Sequence, residues 1–475
     1  MPQRHLDRLT AVDASFLHQE GPNSHMHVGG LTVLEGPPPT LEEFLAQIRQ
    51  RLHLVPRYRH KLAHTHTALD SGRPVWIDDP SFNLEYHVRH TALPAPGDWD
   101  QLCGLTARIF SQQLDRSKPL WEMWLIEGLQ EDRFALISKT HHSLIDGIAG
   151  IDLATVLFDL SPDPPPIRHS GRAWQPHREP GSLELALAGL RGAVRASLEV
   201  AGGVVDALTH PDRALSGARE AAEGIGEIVW AGLNPAPATP LNVDIGPHRR
   251  FRGVGCRLED FKLVKNAFGC TVNDVVLAVV AGALRSFLIS RGVRTEGLEL
   301  RALVPVSVRA EDEHHQLGNR IVVMRGPLPV YISDPVQRLA FVKREMDGLK
   351  ESKQALGAEV IANVQNFAPP TILAQASRLN FSTRLFNLIV TNVPGPQFPL
   401  YVLGRKMLEA YPVAFLPQHH ALAIAIMSYN GQMNFGLLGD LDAMYDIEQL
   451  GEGIAGELAT LLELAREGEA AATPV

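Results

Sequence analysis

Between residues 161 and 167 the chain reads SPDPPPI, and Pro162, Pro164, Pro165 and Pro166 stand so close together that neither a helix nor a central strand can pass through them. A chain of 475 residues already exceeds what one hydrophobic core usually supports. The prolines say where the division falls. Ahead of them, LEEFLAQIRQRL at 41–52 has helical spacing and RFALISKTHH at 133–142 has the composition of a buried strand, so this part is α/β. From Ser182 to about Leu233 the chain is rich in Ala, Gly and Leu, with Arg191, Arg195 and Glu199 recurring at helical spacing, the pattern of crossover helices. NPAPATPLN at 234–242 closes that stretch. A second α/β region follows, in which TVNDVVLAVVAGALRSFLI at 271–289 is a buried helix and LELRALVPVSV at 298–308 a strand. The expected organisation is an α/β fold in two similar halves, 1–175 and 241–475, joined by a helical connection at 176–240.

Charge and cysteine content narrow the function classes. A formal net charge of -9 argues against a nucleic-acid binder, which needs clustered excess Lys and Arg. Cys103, Cys256 and Cys270 lie far apart, form no CxxC, and suggest neither a disulfide framework nor a zinc site; they point to a reducing compartment. The N-terminus MPQRHLDRLTAVD carries no apolar leader core, and the longest apolar run, VVLAVVAGAL at 275–284, is too short to cross a bilayer. A cytoplasmic protein without a membrane span is expected.

The stretch that carries chemistry is HHSLIDG at 141–147. Two other histidine pairs, at 314–315 and 419–420, lack Asp-Gly at the same distance downstream. Strand alternation through RFALISKTHH sends Ala135, Ile137, Lys139 and His141 to one face and Phe134, Leu136, Ser138, Thr140 and His142 to the other. Rings that point apart are poor joint ligands of one metal, and one of them can be catalytic while its neighbour is structural. Asp146 stands where the N-cap of a following helix would be, in a strand, turn, helix arrangement suited to presenting a reactive side chain. By local physics alone, two strand-end histidines beside a helix cap explain the stretch equally well.

Other residues invite two readings each. Asn273 in TVND precedes an apolar helix, either as a supporting polar group or as the helix N-cap. NVPGP at 392–396 has the stiffness of a turn that approaches a substrate, and of any tight loop. Trp121 and Trp124 suit a tunnel wall or, more simply, the core. SHMHV at 24–28 is expected to place His25 and His27 on the same strand face, a metal-binding spacing, but no Cys or nearby carboxylate completes a site, and no metal is assigned.

HHSLIDG fits the HHxxxDG signature of CoA-dependent acyltransferases, and within that superfamily the chain resembles the bacterial wax ester synthases/diacylglycerol acyltransferases over nearly its whole length. The blocks that carry the resemblance occur in order: LTAVDASFLH at 9–18, PLWEMWLIEGL at 119–129, HHSLIDG, PLN at 240–242, TVNDVVLA at 271–278, VPVSVR at 304–309, LGNR at 317–320, NVPGP, and SYNG at 428–431. Thr391 departs from the serine the family often has before NVPGP, and the DFGWG of the plant enzymes is absent, with NFGLLGD at 434–440 in that region.

The resemblance implies two chloramphenicol-acetyltransferase-like halves, each a mixed sheet with flanking helices, and a tunnel between them. His142 would then act as general base, with His141 beside it. Asp146 would be a structural aspartate followed by Gly147, and Arg309 its ion partner from the other half or simply a surface arginine. Asn273, Asp274, Asn392, Pro394 and Gly395 would support the substrates. The implied donor is acyl-CoA, as a substrate and with no cofactor; the acceptor is diacylglycerol or a long-chain alcohol. Acceptors of that kind imply peripheral attachment to a membrane or lipid droplet, for which the helices at 182–233 offer an apolar face if they do not simply pack across the halves. Two alternatives stay open: a condensation-type enzyme taking its donor from a carrier protein, and a lipid-binding protein that keeps the fold without catalysis.

Overall fold

The structure, a computed structural model, describes residues 7–64, 74–144, 156–165, 174–185, 187, 235–307, 321–351 and 382–472. Asp146, Gly147, Arg309, the histidines at 314 and 315, and nearly all of the 182–233 stretch lie outside the described residues.

The described residues form fifteen strands: β1 (Asp7–Arg8), β2 (His27–Glu35), β3 (His60–Ala63), β4 (Val75–Asp78), β5 (Val88–Ala92), β6 (Trp121–Leu129), β7 (Arg133–His141), β8 (Arg249–Arg257), β9 (Leu300–Ser307), β10 (Ile321–Leu328), β11 (Leu388–Pro394), β12 (Tyr401–Val402), β13 (Arg405–Val413), β14 (Leu422–Tyr429) and β15 (Gln432–Asp440). The described helices longer than one turn are α1 (Ala11–Gln19), α2 (Leu41–Arg51), α3 (Trp99–Ser111), α4 (Leu258–Phe268), α5 (Val272–Ser290), α6 (Pro335–Glu351) and α7 (Ile447–Ala472).

Two six-stranded sheets dominate, in the orders β12-β13-β2-β7-β6-β5 and β10-β9-β11-β14-β15-β8, beside a small sheet β1-β4-β3. Each large sheet is mixed. In the first, β5 runs parallel to β6 while the other pairs are antiparallel. In the second, β11 runs parallel to both β9 and β14. The expected α/β fold with two sheet-bearing halves is what forms.

Residues 401–413 do not stay in the half from which they come. They enter the first sheet, where β13 pairs with β2 from Gly29 to Leu34. Strand propensity tells which residues extend but not which edge they join, so the sequence gives no sign of this exchange. The crossing also brings the sheets together. At Gly436 in β15 an added Cβ would sit 1.8 Å from the carbonyl oxygen of Pro412 in β13, so only glycine lets the two backbones meet there.

The period of two in β7 divides the interior. Ala135 and Ile137 belong to the large core shared by both halves, and Phe134 and Leu136 to the core under α1 and α2. Helix α5 is the spine of the shared core, with every residue from Val275 to Leu284 buried. It is long and apolar enough to cross a membrane by length and composition, yet 72% of its most apolar window is buried inside the protein. That burial marks it as a core helix. The short run VVLAVVAGAL is thus the middle of a longer apolar helix, and packing accounts for its composition.

Candidate active site

Helix α1 begins where Thr10 accepts a hydrogen bond from the Asp13 amide at 3.0 Å. Phe16 and Glu20 follow one turn apart, so both lie on one side of the chain. That side meets the end of β7. The strand stops at His141 and the backbone turns through a short 3-10 segment, His142–Leu144, instead of extending to His142 as the alternation suggests. One last ladder bond, from the His142 amide to the Met26 carbonyl at 2.8 Å, holds the turn against the residue before β2.

The two histidines meet different neighbours. The His142 ring stacks on Phe16, with centroids 4.0 Å apart and planes inclined by 20°, and the edge of Phe415 approaches at 5.8 Å. Phe415 arrives two residues beyond β13, the strand contributed by the C-terminal region. His142 keeps part of its surface accessible while protein crowds it closely. Burial pushes its imidazole down to about 4, and the neighbouring His141 adds to the effect. At neutral pH the ring is therefore unprotonated and able to receive a proton.

His141 is fully buried. Its Nδ1 accepts the Ser143 amide at 3.1 Å and lies 2.7 Å from the Ser143 hydroxyl. A nitrogen that accepts a backbone N–H carries no hydrogen of its own, so the ring proton sits on Nε2. That edge faces Glu20 Oε2 at 3.5 Å, a distance at which the contact is electrostatic more than a short hydrogen bond.

Glu20 is a functional candidate that sequence reasoning missed. Its side chain is 1% exposed and also meets Arg116, with Nε at 2.8 Å, and His27, with Nε2 at 3.7 Å. Burial by itself would raise its carboxyl; His141 and then Arg116 outweigh that and hold it down at about 2. The sequence signal was an acidic residue in a short polar loop, which ordinarily means surface. Its meaning depends on β2 lying beside β7, in a register that pairs His27 with His141.

His25 precedes β2, so the two histidines of SHMHV do not share one strand face; their rings lie 5.3 Å apart. Among the described residues no group of three or more His, Cys, Asp or Glu is placed to hold a metal ion. Trp121 is core, with its indole N–H donated to the Tyr58 carbonyl at 2.8 Å and its ring stacked on His87. Trp124 is partly buried against the shared core. His420 is buried between the Gln418 and Phe386 carbonyls, and His419 pairs with Asp244.

A second group forms around α5. Thr271, not Asn273, is the N-cap of that helix, in a capping box with Asp274: the Asp274 amide donates to the Thr271 hydroxyl and Asp274 Oδ2 accepts the Thr271 amide at 2.8 Å. Asn273 is thereby released from capping, and its Oδ1 accepts the Asn392 side-chain N–H at 3.2 Å. TVND and NVPGP, 119 residues apart, are thus neighbours. Gly395 donates its amide to the Ser428 hydroxyl at 3.2 Å, and a Cβ there would lie 2.3 Å from the Ser428 carbonyl oxygen, which ties NVPGP to SYNG. Pro394 ends β11 directly opposite Ser428 in the parallel register.

Residues 9–276 match the wax ester synthase/diacylglycerol acyltransferase catalytic domain, and residues 317–462 match the WS/DGAT C-terminal domain. The chain belongs to the wax ester synthase/diacylglycerol acyltransferase family. It is therefore an acyltransferase. Its relatives include tgs1 of Mycobacterium tuberculosis, described as a probable diacylglycerol O-acyltransferase, which is 35% identical over 465 residues covering 97% of each chain. Another relative of the same description, tgs2 of the same species, is 34% identical over 442 residues, 91% of this chain and 94% of that one. Among solved structures, the wax ester synthase/diacylglycerol acyltransferase of Marinobacter aquaeolei matches with a TM-score of 0.69 and 29% identity over 97% of this chain and 99% of that one. The starter condensation domain of rhizomide synthetase, at 15% identity and a TM-score of 0.57, shares the fold. The two mixed sheets joined by β13 are this family's architecture as it occurs in the chain.

Proposed function

We propose that this acyltransferase moves a long-chain acyl group from CoA to the hydroxyl of diacylglycerol, giving triacylglycerol, and/or to that of a long-chain alcohol, giving a wax ester. His142 is the general base. The observation that carries this reading is the desolvated, unprotonated imidazole at the end of β7, aimed by its stack on Phe16. The acceptor class follows from relatives described as diacylglycerol O-acyltransferases.

The chemistry needs one proton relay. The acceptor oxygen attacks the thioester carbonyl carbon as His142 takes its hydrogen; the tetrahedral intermediate collapses, the C–S bond breaks, and the proton returns to the departing CoA sulfur. No acyl-enzyme forms and no cofactor takes part. General-base catalysis contributes roughly 10²–10⁴-fold, so positioning and oxyanion stabilisation supply the rest. The Asn273–Asn392 pair is assigned a supporting role, its amide hydrogens being donors of the kind that stabilise an oxyanion. The expected location is the cytoplasm, with peripheral attachment to a membrane or lipid droplet, where water-insoluble acceptors reside.

The test is thiol release from palmitoyl-CoA by the purified protein with dipalmitoylglycerol, hexadecanol or no acceptor, with the lipid products separated. Release that depends on dipalmitoylglycerol and yields triacylglycerol is the expected result. Activity only with a carrier-bound donor would favour a condensation-type enzyme, and bound fatty acid without any release a lipid-binding protein.

A further inference from the structure

We infer that Glu20 is a positioning residue for the acyl-transfer reaction, holding His141 so that the turn behind it aims His142. The inference rests on the reading of His142 as general base. His141 is clamped from both edges: the Ser143 amide and hydroxyl occupy Nδ1, and the Glu20 carboxylate faces the proton on Nε2. Rotating or tilting the ring breaks both contacts at once. Because Ser143 lies one residue beyond His142, the clamp fixes the backbone on both sides of the base, and α1 adds the Phe16 stack from the same face that presents Glu20.

Stability alone is a weak reason to keep a carboxylate here. A buried ion pair can often be replaced whole by well-packed apolar residues with little loss, whereas a group that orients a neighbour cannot be replaced without changing that orientation. Arg116, 40% exposed, is the outer end of the arrangement and keeps Glu20 ionised from the solvent side. The loop after Glu20 is itself pinned from the other half of the molecule. Asn23 donates to the Ile245 carbonyl at 3.0 Å and accepts from Arg249, and Ser24 donates to the Leu416 carbonyl at 2.9 Å, next to Phe415. The loop that follows the carboxylate and the segment that carries Phe415 are therefore tied to each other.

The experiment measures kcat and KM for palmitoyl-CoA, with dipalmitoylglycerol as acceptor, in Glu20→Gln, Glu20→Asp, Arg116→Met and His142→Ala, each with its melting temperature. Glu20→Gln keeps the volume and removes the charge. It should lower kcat at least about 10-fold with KM for palmitoyl-CoA changed less than about 2-fold, and Glu20→Asp should recover part of the loss. Arg116→Met, which leaves the carboxylate in place, should show the same kcat-only pattern at about 2- to 5-fold, and it carries the test if the buried substitutions fail to fold. Folded Glu20→Gln or Arg116→Met with normal kcat, beside an inactive His142→Ala, overturns the role of Glu20 and leaves the base assignment standing. An active His142→Ala overturns the base assignment and this inference with it.

Discussion

Replacing Phe16 by alanine should move the acid limb of catalysis. The Phe16 ring covers one face of His142 at a centroid distance of 4.0 Å, and burial is the first cause of the depression of that imidazole to about 4. Removing the ring admits water to that face, and the imidazole rises toward the ordinary histidine value of about 6.5. At pH 5 a base of pKa 4 is about 90% unprotonated and one of pKa 6.5 only about 3%, so complete resolvation would cost about 30-fold in kcat/KM. A rise of one unit, as expected if Phe415 and the surrounding protein keep their share, costs about 2-fold at pH 5 and almost nothing at pH 8. The assay is the pH profile of kcat/KM, which reports the free enzyme. Wild type should hold its activity down to about pH 5 and lose it through about 4, with the variant's acid limb displaced upward. Phe16→Leu, which keeps more of the cover, should fall between. Identical acid limbs in all three proteins would refute the reasoning that the stack keeps the base dry.

Three further outcomes are expected. Gly395→Ala places a Cβ 2.3 Å from the Ser428 carbonyl, so β11 and β14 must separate; a loss of about 1–3 kcal/mol in urea denaturation is expected, and unchanged stability would mean that the NVPGP turn yields freely. Asn273→Ala and Asn392→Ala should each slow turnover, with a double variant less damaging than the product of the two, giving a coupling of about 0.5–3 kcal/mol in a double-mutant cycle; independent effects would dissolve the pair. Stability should fall on acidification from pH 7 to pH 5. His27, His87 and His142 are held below the ordinary histidine value, chiefly by burial, so the unfolded chain binds protons that the folded one refuses. Their stabilisation is complete above about pH 6.5 and is lost as pH falls below it, through about 4 for His87 and His142, with a loss of about 2 kcal/mol at pH 5 for His87 taken alone. Equal urea midpoints at the two pH values would contradict this.

What the sequence made legible follows from what is local. The helix read at 271–289 forms at Val272–Ser290, and the strand read at 133–142 forms at Arg133–His141, because hydrophobic period and β-branched content act over neighbouring residues. HHSLIDG is recognisable because all its residues are contiguous. Asn273 is more instructive: its sequence position suits a cap or a supporting polar group, Thr271 and Asp274 have the spacing of a capping box, and only the fold gives Asn273 its partner on β11. Glu20 and Phe415 were out of reach. Each acquires its role by meeting a histidine far along the chain, through strand registers that no local propensity records.

Direct attack by an acceptor that His142 activates leaves no acyl-enzyme. Rapid mixing of the enzyme with radiolabelled palmitoyl-CoA, with and without dipalmitoylglycerol, tests it most directly when run beside His142→Ala. The expected results are thiol release only when acceptor is present, no label on the protein, and a loss of at least about 10²-fold in the folded variant. A burst of thiol equal to the enzyme concentration without acceptor, with palmitate bound covalently to the protein, would contradict it.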